Sequence, residues 1–307
     1  MILVTGATGF LGTRVCRLLE QRALPYSQTS LSLGADLRDR ATAIELFSSL
    51  RPRVVLNCAS FVGGIQFGYK RPADIFANNA PMIANIFEAA KVSGVERVVN
   101  PISNCVYPAR LSLFREDELW DGPLHESVMV YGLLRKLSWA GSWAYWRQHG
   151  LSTVNLILSN MYGPEDHFDA ERSHALGALV KKFVDAKREG LDEVCVWGTG
   201  QPVREWLYVD DGAEAMLRAI DCPHTPEPVN VGVAQGVSIR ELAAEIADRV
   251  GFAGRIRFDE SKPDGAPYKT VDGSRGTELL GWSPDTPLAQ GIDRTVKWYA
   301  ENWEKRS

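Results

Sequence analysis

The first twelve residues, MILVTGATGFLG, constrain the fold of this chain more than any other stretch. Residues 2–4 form a short apolar run of the kind found in buried parallel strands. Gly6, Gly9 and Gly12 follow, and apolar residues then recur at helical spacing from Val15 onward. Strand, glycine turn and helix in this order are the setting in which a glycine-rich turn binds a dinucleotide.

The glycines have a physical purpose in such a turn. One glycine permits a backbone conformation that other residues resist, and others let the pyrophosphate and the helix approach the main chain closely. The phosphates then meet free N–H groups at the positive end of the helix. The sequence therefore predicts a cofactor site with contacts from Gly6, Thr8, Gly9, Phe10, Leu11 and Gly12.

Composition narrows the class of protein. The chain has 307 residues, of which 45% are hydrophobic, which suits one large domain with a smaller one. Its net charge of -4 and lack of a basic stripe argue against a nucleic-acid partner. No apolar run approaches the roughly 20 residues that span a bilayer, so no membrane partner is expected, and with a strand at residue 2 no signal peptide is expected. The five cysteines lack a C-x-x-C pair, which predicts reduced thiols, no metal site and a cytoplasmic location.

Apolar strand-like and helix-like segments alternate along the first half of the chain. Strands are expected at 24–32, 54–60, 95–100, 152–157 and 229–232, helices at 41–50, 72–93, 128–149, 209–220, 238–250 and 285–303, and a loop at 61–70. This alternation predicts an α/β fold built on a doubly wound parallel Rossmann sheet that is covered on both faces.

The composition shifts to loops and glycines from residue 160. We therefore expect a discontinuous division of the chain. Residues 1–160 with about 207–232 form the dinucleotide-binding domain, and about 161–206 with 233–307 form a smaller C-terminal substrate domain.

The end of the second predicted strand bears on cofactor choice. An acidic residue there holds the ribose hydroxyls of NAD, and a basic one accommodates the phosphate of NADP. Residues 27–32 contain neither. The missing acid favours NADP(H), and NAD(H) stays open.

Three tryptophans, Trp139, Trp143 and Trp146, share one face of the helix expected at 128–149. Core packing is the preferred interpretation. A subunit interface is the alternative, because aromatic residues are enriched in interface cores.

Ser103 and Tyr131 are the candidates for reductive chemistry. A carbonyl that accepts a hydride needs a proton on its oxygen, which a tyrosine can supply while a serine hydroxyl holds that oxygen. Ser103 follows the predicted strand at 95–100, at the edge where parallel sheets bind ligands. Taken alone, each residue has a structural interpretation as well.

The G-x-x-G-x-x-G spacing resembles the extended short-chain dehydrogenase/reductase family, whose members act mostly on nucleotide sugars. Further segments resemble one group in that family, the GDP-L-fucose synthases, which are NADPH-dependent epimerase/reductases of GDP-4-keto-6-deoxy-mannose. They are VGGI at 62–65, SNCVYP at 103–108, NMYGP at 160–164, SH at 173–174, VWGTG at 196–200, REWLYVDD at 204–211 and SKPDG at 261–265.

The resemblance implies catalytic roles. Ser103 and Tyr131 match the reductase pair, and Cys105 and His174 match the acid–base pair that inverts the two carbons beside the ketone. The chemistry agrees, because a thiolate can remove a proton next to a ketone while an acid on the opposite ring face completes the inversion. The structural alternatives are a core thiol for Cys105 and a helix-end or surface residue for His174.

The resemblance also implies cofactor contacts beyond the glycine turn. Asp36 and Leu37 match the adenine side, although Asp36 has an alternative as the cap of the helix at 41–50. The remaining positions lie beside the pyrophosphate, the ribose or the nicotinamide: Ala59, Ser60, Ser103, Tyr131, Arg135, Leu158, Ser159, Asn160 and Met161.

The positions that match substrate contacts are Asn160, His174, Lys182, Trp197, Arg204, Asp264 and Lys269. Lys182 stands where the group has arginine. A cation suits phosphate there, and the alternative is a solvated helix face.

Three departures from the group's pattern stand out. The group has Tyr-x-x-x-Lys, whereas this chain has Arg135 at that position and Lys136 one residue later. One residue turns a helix by about 100°, so Lys136 is expected to point elsewhere, while Arg135 keeps a positive charge near Tyr131. Asn104 replaces a serine and Tyr268 replaces an arginine, which hints at a different sugar or base.

The sequence thus predicts an NADPH-dependent 3,5-epimerase/4-ketoreductase of a GDP-4-keto-6-deoxy sugar, with Arg135 supporting catalysis. The resemblance also implies a homodimer that pairs through the helices at 72–93 and 128–149. One alternative is an enzyme with only one of the two activities, on another sugar or base. The other is a non-catalytic NADP(H)-binding sensor protein.

Overall fold

The computed structural model describes residues 1–169, 172–262, 264 and 267–302. Its strands in these ranges are β1 (Ile2–Thr5), β2 (Tyr26–Thr29), β3 (Val54–Asn57), β4 (Arg97–Ser103), β5 (Leu113–Phe114), β6 (Ser152–Leu158), β7 (Asn160–Tyr162), β8 (Glu193–Trp197), β9 (Val203–Tyr208), β10 (Val229–Val231), β11 (Gly236–Ser238), β12 (Arg255–Asp259) and β13 (Tyr268–Val271). Its helices are α1 (Phe10–Gln21), α2 (Arg40–Leu50), α3 (Ile65–Lys70), α4 (Pro72–Val92), α5 (Met129–His149), α6 (Ala175–Glu189), α7 (Val209–Arg218), α8 (Ile239–Val250), α9 (Ser274–Leu280) and α10 (Leu288–Glu301).

Six parallel strands form the central sheet, in the order β10-β6-β4-β3-β1-β2. The chain first adds β2 on one side of β1 and then builds outward from β3 on the other side, so the order reverses between β1 and β3. This confirms the predicted doubly wound α/β fold. Ligands of such sheets bind outside the carboxyl ends of the strands, next to the reversal.

Helices cover both faces of this sheet. Val4 and Leu56 belong to the buried cluster that includes residues of α1 and α7, whereas Leu3 and Val55 belong to the cluster that includes residues of α2, α4 and α5. Successive strand residues point to opposite faces, so a strand that is covered on both sides must be apolar throughout. That requirement explains the uninterrupted apolar runs in the sequence.

The remaining strands form smaller sheets. β9 pairs with β7, β11 and β13, β13 pairs with β5, and β8 pairs with β12. A third buried cluster joins α6, α8 and α10 through side chains such as Phe183, Ile246 and Ile292. Across the described ranges, no helix has the length and apolar character needed to cross a membrane.

Several predicted boundaries were wrong. The expected loop at 61–70 contains α3, because the glycine pair ends at Gly64 and a helix begins directly after it. The expected strand at 95–100 is shifted to β4 and continues through Pro101, which is tolerated because β3 pairs with β4 only as far as Val99. The last helix begins at Leu288, and its predicted end, Trp303, lies outside the described residues.

The prediction that the three tryptophans of α5 pack in the core was wrong for Trp143 and correct in part for Trp139. Trp143 is 52% exposed, and Trp139 and Trp146 are only half-buried. Trp139 stacks on Trp120, and Trp146 lies against His224. Their helical spacing correctly put them on one side of α5, and Trp139 packs against the buried cluster that includes Ile102 of β4 and Ile157 of β6.

One buried carboxylate, that of Glu205 on β9, ties the central sheet to the smaller one. It is fully buried and accepts hydrogen bonds from Ser159 Oγ at 2.7 Å, Val233 N at 2.7 Å and Val271 N at 2.8 Å. Ser159 directly follows β6, Val233 lies just after β10, and Val271 is the last residue of β13. Burial raises the pKa of Glu205, and these hydrogen bonds oppose that shift.

We expect Glu205→Gln to lower the free energy of unfolding by about 2–4 kcal/mol, because an amide NH2 would face donors that now meet an oxygen. Denaturant unfolding followed by circular dichroism measures the change. Glu227→Gln, at an exposed glutamate, is the matched control and should stay within about 0.5 kcal/mol of the parent. Equal stability of the two variants would contradict the assigned role.

Candidate active site

The glycine turn between β1 and α1 forms a cradle in which the main chain is unusually close to its neighbours. Gly6 has a φ of +61°, and a Cβ on it would lie 2.6 Å from the nitrogen of Ala59. A Cβ on Gly12 would lie 2.1 Å from the carbonyl oxygen of Gly6. Only glycine fits either position. Helix α1 begins at Phe10, and the N–H groups of its first turn, including those of Phe10 and Leu11, have no partner inside the helix. The cradle therefore fits a pyrophosphate.

Hydroxyl groups follow β2 at the side where an adenosine would lie. Thr8 Oγ1 is 2.8 Å from Ser32 Oγ, which is 2.9 Å from Ser30 Oγ. These are neutral groups, as the sequence indicated for this position.

Asp36 follows these hydroxyls in the chain, after a turn in which Ala35 N donates to Ser30 O at 3.1 Å, and it is bound by Arg38. The guanidinium donates from Nε at 2.8 Å and from Nη2 at 2.7 Å, which lowers the pKa of Asp36. The alternative that Asp36 caps the helix was wrong, because Asp39 accepts from Thr42 N at 2.7 Å and is the cap of α2. Leu37 beside it is buried.

Three predicted site residues, Ser60, Tyr131 and Arg135, come together past the end of β3. The guanidinium carbon of Arg135 lies 4.7 Å from the centre of the Tyr131 ring. Arg135 Nη2 donates a hydrogen bond to Ser60 Oγ, and Ser60 Oγ is 3.5 Å from the Tyr131 hydroxyl. The candidate proton donor therefore has a fixed positive charge against its ring.

Arg135 is only 3% exposed and is held by Asn79 of α4, whose Oδ1 lies 3.4 Å from Nη2. Its Nε is buried and has no hydrogen-bond partner within the described part of the chain. An unpaired buried donor is costly unless a ligand supplies an acceptor. A ribose hydroxyl of a bound dinucleotide would be such an acceptor, so this cleft fits the cofactor that the cradle implies.

Lys136 points away from this group, which confirms the prediction from its position in the helix. Its Nζ donates to the carbonyl of Leu119 and lies 4.2 Å from the centre of the Trp120 ring. Burial lowers the pKa of Lys136.

Ser103 and Cys105 lie where β4 ends, against the start of α5. Cys105 N donates to Ser103 Oγ at 3.3 Å, and a Cβ on Gly132 would lie 2.5 Å from the Cys105 carbonyl oxygen. Gly132 follows Tyr131 directly, so the candidate thiol and the candidate proton donor lie on touching segments.

His174 lies at the start of α6 and makes no capping hydrogen bond with its side chain. The segment before it is joined to the glycine pair, because Gly64 N donates to Arg172 O at 3.0 Å. His174 is exposed at the surface, and loss of solvation from the surrounding protein, with His167 nearby, lowers the pKa of His174. The contacts place His174 beside the 62–64 segment and do not join its side chain to Cys105.

Two predicted substrate residues, Arg204 on β9 and Lys269 on β13, are in-register neighbours on adjacent parallel strands. Burial lowers the pKa of both side chains, and the neighbouring Arg204 contributes to the lowered pKa of Lys269. Cations that have lost solvation are stabilised by an anion. The pair is therefore suited to a diphosphate bound close to the Cys105 thiol.

A second group of predicted substrate residues surrounds Trp197, which is 53% exposed. Lys182 Nζ and Lys262 Nζ lie 5.3 Å and 5.8 Å from the centre of its ring. The interpretation of Lys182 as part of a solvated face was wrong, since its Nζ donates to Cys195 O at 2.8 Å and burial lowers its pKa.

Asp264 orders the loop that follows Trp197. Its carboxylate accepts from Thr199 N at 2.7 Å and from Thr199 Oγ1 at 2.8 Å. Pro263 and Gly265, which belong to the same sequence motif, lie outside the described residues.

The residues predicted to face the nicotinamide, Ser159, Asn160 and Met161, run from the end of β6 at Leu158 into β7. Leu158 is buried, Ser159 is bound to the Glu205 carboxylate, and Asn160 Nδ2 donates to the Glu205 carbonyl at 2.9 Å. Met161 follows on β7. Glu205 thus fixes this stretch with both its side chain and its main chain.

Sequence reasoning missed Asn79 and Glu205 as parts of the site. Each left a signal. Asn79 occupies the buried face of α4 between Ile75 and Ile83, where an apolar residue is expected. Glu205 is a charged residue in a strand whose next residues, 206–209, are apolar or aromatic. A polar residue at a buried position implies a specific partner.

No group of three or more metal-ligating side chains occurs in the part of the chain that the structure describes.

Comparisons with known proteins place these features in context. The model of the "NAD dependent epimerase/dehydratase family" matches residues 2–232. The chain is 37% identical over 303 residues to "Probable GDP-L-fucose synthase 1" of Oryza sativa subsp. japonica, covering 98% of this chain and 92% of the relative. It is 33% identical over 314 residues to "GDP-L-fucose synthase" of Escherichia coli (strain K12), covering 99% and 98%.

Solved structures agree. A GDP-L-fucose synthetase from Naegleria fowleri bound to NADP has a TM-score of 0.89 at 30% identity, covering 99% of this chain and 94% of that one. A GDP-6-OMe-4-keto-L-xylo-heptose reductase from C. jejuni has a TM-score of 0.91 at 23% identity, covering 98% and 97%, which shows a shared fold.

We expect Gly12→Ala to weaken binding of NADPH at least 100-fold, because its Cβ would overlap the Gly6 carbonyl and push α1 away from the cradle. Isothermal titration calorimetry measures this. Gly9→Ala is the graded control, since its Cβ would lie 3.2 Å from the same oxygen and should cost less affinity. Unchanged binding by Gly12→Ala would show that the cradle does not hold the pyrophosphate.

Proposed function

Since this chain belongs to the NAD dependent epimerase/dehydratase family, and within it to the GDP-L-fucose synthases, we infer that it is an NADPH-dependent epimerase and reductase of a GDP-4-keto-6-deoxy sugar. One observation carries the assignment of its site. The Cys105 main chain contacts Gly132 at the start of α5, next to Tyr131, and the Cys105 side chain is among the groups that influence the pKa of Lys269. A sugar whose diphosphate binds the cations would therefore present its ring to both candidate groups.

The reductive half uses Ser103 and Tyr131. NADP(H), when bound, supplies the hydride for the ketone at carbon four. Ser103 holds the carbonyl oxygen, and Tyr131 gives that oxygen the proton it needs as negative charge develops. The guanidinium of Arg135 lies against the ring of Tyr131.

The epimerising half uses Cys105 and His174. A proton on a carbon beside the ketone is removed on one face of the sugar ring and replaced on the other, so two groups on opposite sides are needed. The lowered pKa of His174 makes its protonated form a stronger acid and reduces the fraction that is protonated at neutral pH.

We propose that the nucleotide lies along the group around Trp197. Its ring offers an exposed aromatic face between Lys182 and Lys262, and Asp264 holds the adjoining loop. With this placement, residues 1–160 and about 207–232 would bind NADP(H), and about 161–206 with 233–307 would bind the nucleotide sugar. Tyr268, beside Lys269, is the neighbour through which a different sugar or base would be selected.

We also propose a homodimer that pairs through α4 and α5. The outward side of α5 carries Met129, Leu133, Leu137 and Trp143, all about half exposed, and α4 carries Phe76, which is 59% exposed. Apolar and aromatic side chains grouped on two adjacent helices are typical of a subunit interface. A cytoplasmic location is proposed as well, because the five cysteines are free thiols.

We expect the purified protein to oxidise NADPH when it is given GDP-4-keto-6-deoxy-mannose. In deuterated water, deuterium should enter the two carbons beside the ketone. Cys105→Ser and His174→Asn should lower deuterium entry at least 100-fold while cofactor binding is retained. Tyr131→Phe is the matched control, and it should stop NADPH oxidation while exchange continues.

The same assay separates the alternatives. Exchange without oxidation indicates an epimerase, and oxidation without exchange indicates a reductase. NADPH binding without reaction on any nucleotide-linked keto sugar would contradict the proposed enzyme and favour a sensor.

We expect Leu133→Asp with Leu137→Asp to convert a dimer into monomers, because each charge would be buried without a partner at the interface. Light scattering after size-exclusion chromatography measures the mass. Leu191→Asp, at an exposed leucine after α6, should leave the dimer intact. A wild-type protein that is monomeric at micromolar concentration would contradict the proposed interface.

A further inference from the structure

We propose that Ser60 is a positioning residue that links Arg135 to Tyr131 and donates a hydrogen bond to the Tyr131 oxygen once its proton has left. The inference rests on the proposed reductive role of Tyr131. It assigns to Ser60 a task beyond lining the cofactor cleft.

The direction of the hydrogen bonds follows from the donors available. A guanidinium can only donate, so Ser60 Oγ must accept the hydrogen bond from Arg135 Nη2. The hydroxyl proton of Ser60 is then left for another acceptor. Among the described residues, two side-chain oxygens are within reach of it, Asn79 Oδ1 at 3.4 Å and the Tyr131 hydroxyl at 3.5 Å.

Asn79 is the poorer acceptor of the two. Its Oδ1 already accepts from Phe61 N at 3.0 Å and faces Arg135 Nη2 at 3.4 Å, so both lone pairs are engaged. The amide is also held in place, because its Nδ2 donates to the carbonyls of Phe61 and Ile75, each at 2.8 Å. A phenolate on Tyr131 is a charged acceptor and makes a stronger hydrogen bond than a saturated amide oxygen.

Arg135 is placed against the ring of Tyr131 and hydrogen-bonds to Ser60. Asn79 on α4 is neutral and contacts both Ser60 and Arg135, and the Cys105 carbonyl lies against Gly132, next to Tyr131. Lys136 on the same helix binds the Leu119 carbonyl instead. Ser60 is therefore the hydrogen-bonding link between the buried cation and the phenol oxygen.

The proton balance is simple. Tyr131 gives its proton to the oxygen of the reduced carbonyl and becomes a phenolate, and the Ser60 O–H then points its hydrogen at that phenolate without transferring it. A proton from solvent later restores Tyr131. No electron passes through Ser60.

The test uses the protein without cofactor or substrate. Tyrosine labelled with 13C at Cζ is titrated by NMR, and the Tyr131 signal is assigned by its loss in Tyr131→Phe. Ser60→Ala should move the pH of Tyr131 ionisation upward by about one pH unit, the size expected for one lost hydrogen bond to a charged group. Ser60→Thr keeps a hydroxyl and should restore the parent value, and Ser49→Ala on α2 is the remote control.

An unchanged Tyr131 titration in Ser60→Ala would overturn the proposal, since the cation would then act on the ring alone. If Ser60→Ala does not fold, Ser60→Gly removes the same hydroxyl and decides the same question. The titration does not depend on turnover. A wild-type protein that reduces no keto sugar would contradict the proposed function, and the Tyr131 titration would still decide whether Ser60 donates to Tyr131. In the active enzyme, the alkaline limb of kcat/KM against pH should move with the titration.

Discussion

The buried carboxylate of Glu205 is the interaction on which the rest of the site depends. A charge in a protein interior is tolerated only when donors surround it, and here the donors come from three separate stretches of chain. One of them, Ser159, begins the stretch proposed to face the nicotinamide, and another, Val271, lies on the same strand as Lys269. The half of the site that would bind the cofactor and the half that would bind the diphosphate are thereby held at one fixed separation.

The site also contains cationic groups that have lost solvation and a buried donor that has no hydrogen-bond partner in the described chain. Arg204, Lys182 and Lys269 have all lost solvation, and Arg135 has a buried Nε without a partner in the described chain. Such groups cost stability until a ligand satisfies them. A dinucleotide and a nucleotide diphosphate together would bring the hydroxyl and phosphate oxygens that these donors lack, so binding energy would be available for orienting the sugar ring.

Arg135 stands where the resemblance implies a lysine, and its side chain organises the surroundings of Tyr131. A guanidinium is planar and broad and lies readily on an aromatic face, which is where Arg135 meets Tyr131. Its Nη2 also donates hydrogen bonds to Ser60 Oγ and to Asn79 Oδ1. A positive charge thus lies against the phenol ring, and the proposed Ser60 link would connect it to the phenol oxygen.

The sequence by itself determined the doubly wound sheet, the glycine cradle and the order of the chemical motifs, because each depends on local patterns: apolar runs, glycine spacing and residues at fixed offsets. It also placed Lys136 away from the site, since helix geometry alone decides that. Only the tertiary structure decided that Trp143 faces outward, that Asp39 rather than Asp36 caps α2, and that Asn79 and Glu205 belong to the site. Periodicity reports which side chains share a face, but what that face meets depends on contacts between segments far apart in the chain, and no local pattern encodes those.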